Sequence, residues 1–371
     1  MKYVDEFRDP TAAKELIANI AALAKNLPRT LRFMEVCGGH THTIYRHGLE
    51  YLLPKSVEFI HGPGCPVCVI PAGRVDDAIW LANQPNVIFT TFGDMMRVPG
   101  SSGNMLAAKA RGADIRFIYS PLDALKIAQD NPTNQIVFFA LGFETTAPAT
   151  AIAIAQAKTG GVKNFSVFCN HVLINPPLRT ILDAENVQID GFIGPGHVAT
   201  VVGSQHFEFI PTEYQLPIIV TGFEPLDILQ SVNMLLTQYV EGRCQVENQY
   251  SRVVRKSGNR EALRLLEHVF TTRESFEWRG LGAIGNSGYR LADDYGEFDA
   301  EVRFELPAAE VKDHPACQCG LVLTGQLKPA ECQVFGSGCT PENPIGTCMV
   351  SPEGACAAYY TFGRLARPTA D

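Results

Sequence analysis

The chain has no long apolar run. Nowhere in its 371 residues does a stretch of about eighteen consecutive hydrophobic residues occur, so a transmembrane helix is not expected. Nor is there an excess of positive charge. The net charge of −8 leaves no broad basic surface to attract phosphates, which argues against nucleic acid as a partner. The N-terminus lacks the basic start, apolar centre and small-residue cleavage site of a signal peptide. Its opening residues, MKYVDEFRDPTAAKELIANIAALAKNL, read as an amphipathic helix carrying acidic residues. These absences lead to the expectation of a cytoplasmic protein with neither a membrane nor a nucleic acid as partner.

Cysteine, by contrast, is plentiful. A reducing cytoplasm does not maintain structural disulfides, so eleven cysteines in that setting point to metal binding or redox chemistry. Cys37, Cys65 and Cys68 lie early, and Cys169 and Cys244 stand alone. The other six are Cys317, Cys319, Cys332, Cys339, Cys348 and Cys356.

With 46% hydrophobic residues, the chain can build two or three domains, each with its own core. Between about residues 30 and 240, short β-branched or aromatic runs (RFMEV, VEFIHG, NVIFTTF, QIVFFALGF, IDGFIG, LPIIVTGF) alternate with helical stretches such as PLDALKIAQD. Apolar strands without strict alternation are buried on both faces, which predicts an α/β fold of mainly parallel sheets covered by helices. A weak internal repeat supports two similar lobes: FMEVCGG at 33–39 resembles FSVFCNH at 165–171, and the GPG at 62–64 recurs at 194–196. The competing explanation is chance likeness of glycine turns at strand ends. The expected organisation is an N-terminal helix (1–29), a first α/β lobe (30–120), a second (121–240), and a helical and cysteine-rich domain (241–371). In the last of these, ENQYSRVVRKSGNREALRLLEHVFT reads as a polar-faced helix and ESFEWRGLGAIGNSGYRL as a glycine-rich loop.

Three constellations carry chemistry. Cys332, Cys339, Cys348 and Cys356 are spaced C-x6-C-x8-C-x7-C. Four thiolates suit a zinc ion or a 4Fe–4S cluster. These gaps are wider than those of zinc ribbons, so the cluster is favoured over zinc and over reduced structural cysteines. Cys317 and Cys319 just upstream could replace a ligand, form a redox pair or simply pack. The second constellation is CPVC at 65–68, a disulfide-forming or metal-gripping pair with no second CxxC to complete a zinc site. The third is EVCGGHTHTIYRHG. Here Cys37 follows an apolar run, where strand ends face the ligand crevice, and His40 and His42 stand close enough in sequence to lower a thiol's pKa. Packing alone would also account for either histidine. Other strand ends offer Asp94, Arg97, Glu144, Thr145, Thr146, His171, Asn175 and His197. Each is weak alone, but together they suggest one shared cleft between lobes.

Read in order, EVCGGHTHTIYRHG, HGPGCPVCV, TFGDMMRVPGS, GFETTAPATA, NPP, GFIGPGHV and the cysteine-rich C-terminus resemble the HypD family of NiFe-hydrogenase maturation factors over about residues 30 to 360. The resemblance implies two similar α/β lobes plus a cluster domain. It implies a redox-active scaffold on which the Fe(CN)2CO group is assembled with a HypC-type small chaperone and with HypE, which supplies cyanide made with HypF. Cys37 would be the iron ligand shared with the partner, and Cys65 and Cys68 a dithiol/disulfide and possible iron site. Cys332, Cys339, Cys348 and Cys356 would hold the 4Fe–4S cluster. His40 and Glu144 join Cys37, Cys65 and Cys68 as candidate catalytic residues. An iron–sulfur disulfide reductase acting through Cys65 and Cys68 is the alternative; it needs no third cysteine.

Overall fold

The computed structural model describes residues 4–185, 187–307 and 311–363. The ends of the expected first and last segments, residues 1–3 and 364–371, lie outside them. Nine strands form two parallel sheets: β1 (Leu31–Glu35), β2 (Val57–His61), β3 (Val87–Thr91), β4 (Ile115–Phe117), β5 (Gln135–Gly142), β6 (Phe165–His171), β7 (Gly191–Pro195), β8 (Ile218–Thr221) and β9 (Val246–Asn248). The larger sheet has the order β2-β1-β7-β8-β9 and the smaller β4-β3-β5-β6. β1 pairs with β2 from Leu31↔Val57 to Glu35↔His61, and with β7 from Phe33↔Gly191 to Glu35↔Ile193. Every residue of β3, β6 and β7 is buried, as unbroken apolar runs require of strands covered on both faces.

The two lobes are discontinuous in sequence. β1 and β2 share a sheet with β7, β8 and β9, while β3 through β6 form the other. The expected division at residue 120 therefore does not separate the sheets, since β3 and β4 lie before it and pair with β5 and its neighbours. The repeat does not map onto the lobes either. β1 and its match β6 lie in different sheets, while the two GPG turns stand at the ends of β2 and β7 in one sheet. What recurs is the glycine turn at the end of a parallel strand, the competing explanation given above.

One face of the larger sheet carries a separate core. Ile20 and Ala24 of the helix Pro10–Ala24, and Ile228, Val232 and Leu235 of the helix Pro225–Glu241, bury Leu31, Phe33, Ile193 and Ile219. The first helix starts cleanly because Asp9 accepts from the N–H groups of Thr11 and Ala12 and Pro10 occupies the first turn. The remaining core runs continuously from the smaller sheet into the cysteine-rich segment. That segment is tied to the larger sheet at its edge, where Arg32 donates to the Gly325 carbonyl and Lys328 pairs with Glu50 and Glu58.

Two expectations for the region after residue 241 are corrected. The polar stretch supplies the edge strand β9 and a helix only over Arg260–Val269. The glycine-rich stretch forms a hairpin, Ser275–Trp278 against Gly282–Gly285, and a further strand, Tyr289–Leu291. Phe276, Trp278 and Ile284 are buried on one face while Ser275, Glu277, Ala283 and Gly285 stay exposed, a period of two that a glycine-rich composition obscures.

A buried carboxylate fixes the loop after β8. Asp227 is fully buried and accepts two bonds from Arg252, at 2.9 and 2.6 Å, and others from Gln249 and the Glu224 N–H. Arg252→Ala would strand this charge. The expected cost is about 3 kcal/mol, read as a lower urea midpoint, whereas Arg264→Ala, whose ion pair with Glu261 is exposed, should change the midpoint little.

Candidate functional site

The C-terminal edges of both sheets face one crevice of about 930 Å³. Open α/β sheets bind ligands at this edge because the strand-to-helix loops converge there. From the larger sheet come Val36 and Cys37 after β1, Gly64 and Val67 after β2, and His197 after β7. The smaller sheet supplies Asp94 to Arg97, Phe143, Thr145 and Thr146, and the cysteine-rich segment contributes Glu353.

Cys37 follows β1 with extended backbone and stands at the N-cap of the helix Gly38–Arg46. Its sulfur lies 3.5 Å from His197 Nδ1. The backbone N–H groups of Gly39 and His197 favour the thiolate, but burial and the nearby carboxylates of Glu353 and Glu35 outweigh them and hold the thiol strongly protonated. Such a thiol becomes a thiolate when a metal displaces its proton, not by free ionisation at neutral pH. The double glycine has a steric purpose. A Cβ on Gly38 would come within 2.4 Å of the Glu353 Cβ, and one on Gly39 within 2.7 Å of the Phe223 ring. Only a bare backbone lets both close over the cysteine.

His40 does not supply the histidine contact to the sulfur. Its Nε2–H donates to the Thr221 carbonyl at 3.1 Å and its ring stacks on Phe223. His197 takes that place, stacked on the same phenylalanine with ring centroids 3.8 Å apart. Desolvation lowers its pKa to about 4, so it faces Cys37 as a neutral imidazole, the form that accepts a proton or binds a metal. His42 lies in an adjoining pocket with Arg46 and His47.

The CPVC pair stands directly behind Cys37. The Gly38 N–H donates to the Gly64 carbonyl at 3.2 Å, and a Cβ on Gly64 would sit 2.3 Å from the Cys37 nitrogen. Cys65 and Cys68 are joined as a disulfide and are buried, at 3% and 0% exposure, beneath the crevice floor that Gly64, Pro66 and Val67 form. On their far side is the cysteine-rich segment. The Thr347 hydroxyl donates to the Cys68 carbonyl, and a Cβ on Gly354 would meet the Cys68 sulfur at 2.9 Å. Ser351 donates to Asp94, and Arg97 donates to the Val350 carbonyl. Residues 347–354 therefore span from the thiol pair to the crevice wall. Glu353 went unnoticed in the sequence, where its only signal is a Pro-Glu-Gly turn between two cysteines.

All six C-terminal cysteines line a single small void, with Val322, Val334, Phe335 and Met349 as apolar walls. Cys319 and Cys348 are bonded to one another, so the free thiols there are Cys317, Cys332, Cys339 and Cys356. The Ile345 N–H donates to the Cys339 sulfur. Among the described residues, no group of three or more histidine, cysteine, aspartate or glutamate side chains closes to the spacing of a single-ion site.

Glu144 is not in the crevice, although its neighbours Phe143, Thr145 and Thr146 are. It lines a second cavity with Asn175. His171 is buried, bonded to Thr150 at 2.9 Å and to the Gly142 carbonyl at 3.3 Å.

A family model described as "Hydrogenase formation hypA family", HypD, matches residues 11–363. The chain belongs to the HypD family. Its sequence is 53% identical to the hydrogenase maturation factor HypD of Rhizobium leguminosarum bv. viciae, over 98% of this chain and 96% of that protein. It is 54% identical to the HypD of Rhodobacter capsulatus and 52% to that of Escherichia coli K12, each over 98% of both chains. HypD membership makes this a hydrogenase maturation factor. In this HypD chain most of the motifs quoted above converge on the crevice, the thiol pair behind it and the cysteine-lined void, whereas NPP and Glu144 line the second cavity. No helix among its described residues is long and apolar enough to cross a membrane.

Proposed function

We propose that this protein is the scaffold on which the Fe(CN)2CO group of NiFe hydrogenase is put together, with a HypC-type chaperone and HypE as partners. The observation that carries this reading is the Cys37 thiol, opening on the crevice beside neutral His197 and backed by the Cys65–Cys68 disulfide. The iron is cargo. Cys37 binds it by giving up its proton, and His197, whose Nδ1 lies 3.5 Å from the sulfur, is placed to receive that proton. One soft thiolate leaves the remaining coordination positions of iron to diatomic ligands and to the partner's donors.

Cys65 and Cys68 act as the redox pair. Two thiols closing to a disulfide release two electrons and two protons, and the reverse step takes them up. Cys332, Cys339, Cys348 and Cys356 are the proposed 4Fe–4S ligands. Soft sulfur donors around an apolar void and a backbone N–H aimed at sulfur are the donor set such a cluster needs; Cys348 would join it once its bond to Cys319 is reduced, and Cys317 is a further free thiol at the same void. When bound, the cluster supplies one-electron chemistry to a disulfide that would otherwise exchange electrons only in pairs. The reductase alternative fares worse, because an external disulfide must reach the attacking sulfur and both sulfurs of the pair are buried. Free thiols on this scale fit a cytoplasmic setting.

The test is anaerobic isolation with the small partner from cells running the whole pathway, followed by iron and acid-labile sulfide analysis. Iron in excess over sulfide is expected, because the cargo iron brings no sulfide. Zinc in place of iron would overturn the cluster assignment.

A further inference from the structure

The second cavity, about 720 Å³ in volume, lies on the far side of the β5 loop from the thiol crevice. Gly142, at φ 143°, turns the chain sharply as β5 ends, and a Cβ there would collide with the Thr146 hydroxyl. As a result Phe143, Thr145 and Thr146 face the crevice while Glu144 faces away. Pro176, Val202 and Leu263 give the cavity apolar walls. Its polar lining is Glu144, Asn175, Gln205, His206 and Tyr289, and two of these carry a buried acceptor without a partner. Glu144 is 2% exposed. Its Oε1 accepts from the Ile174 N–H at 3.1 Å, but its Oε2 has no hydrogen-bond partner among the described residues. Asn175 spends its amide N–H on the His206 carbonyl at 3.0 Å, which leaves its buried Oδ1 equally unpartnered.

Two buried acceptors without donors, on one cavity wall, cost free energy unless something supplies N–H or O–H groups. No lysine or arginine is among the described residues that line the cavity, which disfavours phosphates and carboxylates as ligands on charge. The volume falls in the range of sites that take small organic molecules and far exceeds the room a single bridging water needs. The geometry points to a binding site for a nitrogen cation, a guanidinium or ammonium group with an apolar stem, donating to Glu144 Oε2 and Asn175 Oδ1. Burial holds the Glu144 carboxyl up at about 7, and an incoming cation would restore its charge and remove that penalty. The same chemistry could arrive on a free small molecule or on an arginine or lysine side chain of a partner. The site does not depend on whether Cys37 holds iron.

The experiment is isothermal titration of the full chain with agmatine and, in a second arm, with the blocked tripeptide Gly-Arg-Gly. Agmatine binding alone identifies a free ligand as the natural occupant, and tripeptide binding identifies a side chain. Glu144→Gln keeps the shape and the Ile174 contact. It should weaken binding about tenfold or more, the loss expected when a charge-assisted bond becomes a neutral one. Leu263→Trp, which fills the cavity from its wall, should abolish binding without touching either acceptor. Equal affinity in wild type and Glu144→Gln would overturn the proposal. So would no binding of either probe up to its solubility, or a crystal soaked with agmatine that shows only water bridging Glu144 and Asn175.

Discussion

Replacing Cys37 with alanine is expected to reduce hydrogenase maturation to background while the protein stays folded. The substitution removes one sulfur from a buried position, so stability should fall by no more than about 1–2 kcal/mol, visible as a small shift in the urea midpoint. Its sharpest control is Cys169→Ala. Both thiols are buried at the end region of a parallel strand, and burial pushes both upward, Cys169 to about 12. They differ in what they face. Cys169 turns toward the Tyr289 carbonyl inside the core, whereas Cys37 meets His197 at the crevice. Hydrogenase activity in cells should vanish with the first substitution and persist with the second. Similar activity in the two strains would mean that neither thiol carries the chemistry.

The second large effect is expected from the pair behind the crevice. Cys65→Ser or Cys68→Ser removes the ability to close or open a disulfide while keeping nearly the same volume. Each leaves a hydroxyl in a buried, apolar place, at a cost of about 1–3 kcal/mol, which the fold should survive. Maturation should nevertheless stop, and the sulfide content of the cysteine-rich segment should match wild type, since neither residue lines that void. Unchanged hydrogenase activity in a Cys65→Ser strain would exclude the redox role. Loss of sulfide together with activity would show instead that the pair holds the segment in place, through contacts such as the Thr347 bond to Cys68.

The sequence made parts of this legible for definite reasons. Strands buried on both faces leave unbroken apolar runs, so β3, β5 and β6 could be read directly. The helix Pro121–Asp130 begins and ends where PLDALKIAQD does, with Ser120 as its cap. Strand order was not legible, because in parallel sheets the neighbours of a strand are set by crossovers and leave no mark on its own composition. That is how β1 comes to lie beside β7 and not beside β3. The site divides in the same way. Cys37 stood out because a cysteine followed by two glycines at a strand end is an unusual demand on the chain. Its histidine was sought nearby in sequence, at His40, and found 160 residues away at His197, a separation that only the meeting of β1 and β7 produces. Glu144 was grouped with the crevice because its neighbours belong there, and only the turn at Gly142 reveals that it faces the other way.

The assembly role rests on Cys37 holding an iron that carries cyanide and carbon monoxide, separately from any iron in the cysteine-rich segment. Infrared spectroscopy of the protein purified anaerobically with its small partner reads this directly. Wild type should show absorption bands of iron-bound cyanide and carbon monoxide, and Cys37→Ala should show none while retaining its sulfide. Bands that persist in Cys37→Ala, or that wild type lacks when every other component of the pathway is present, would contradict it.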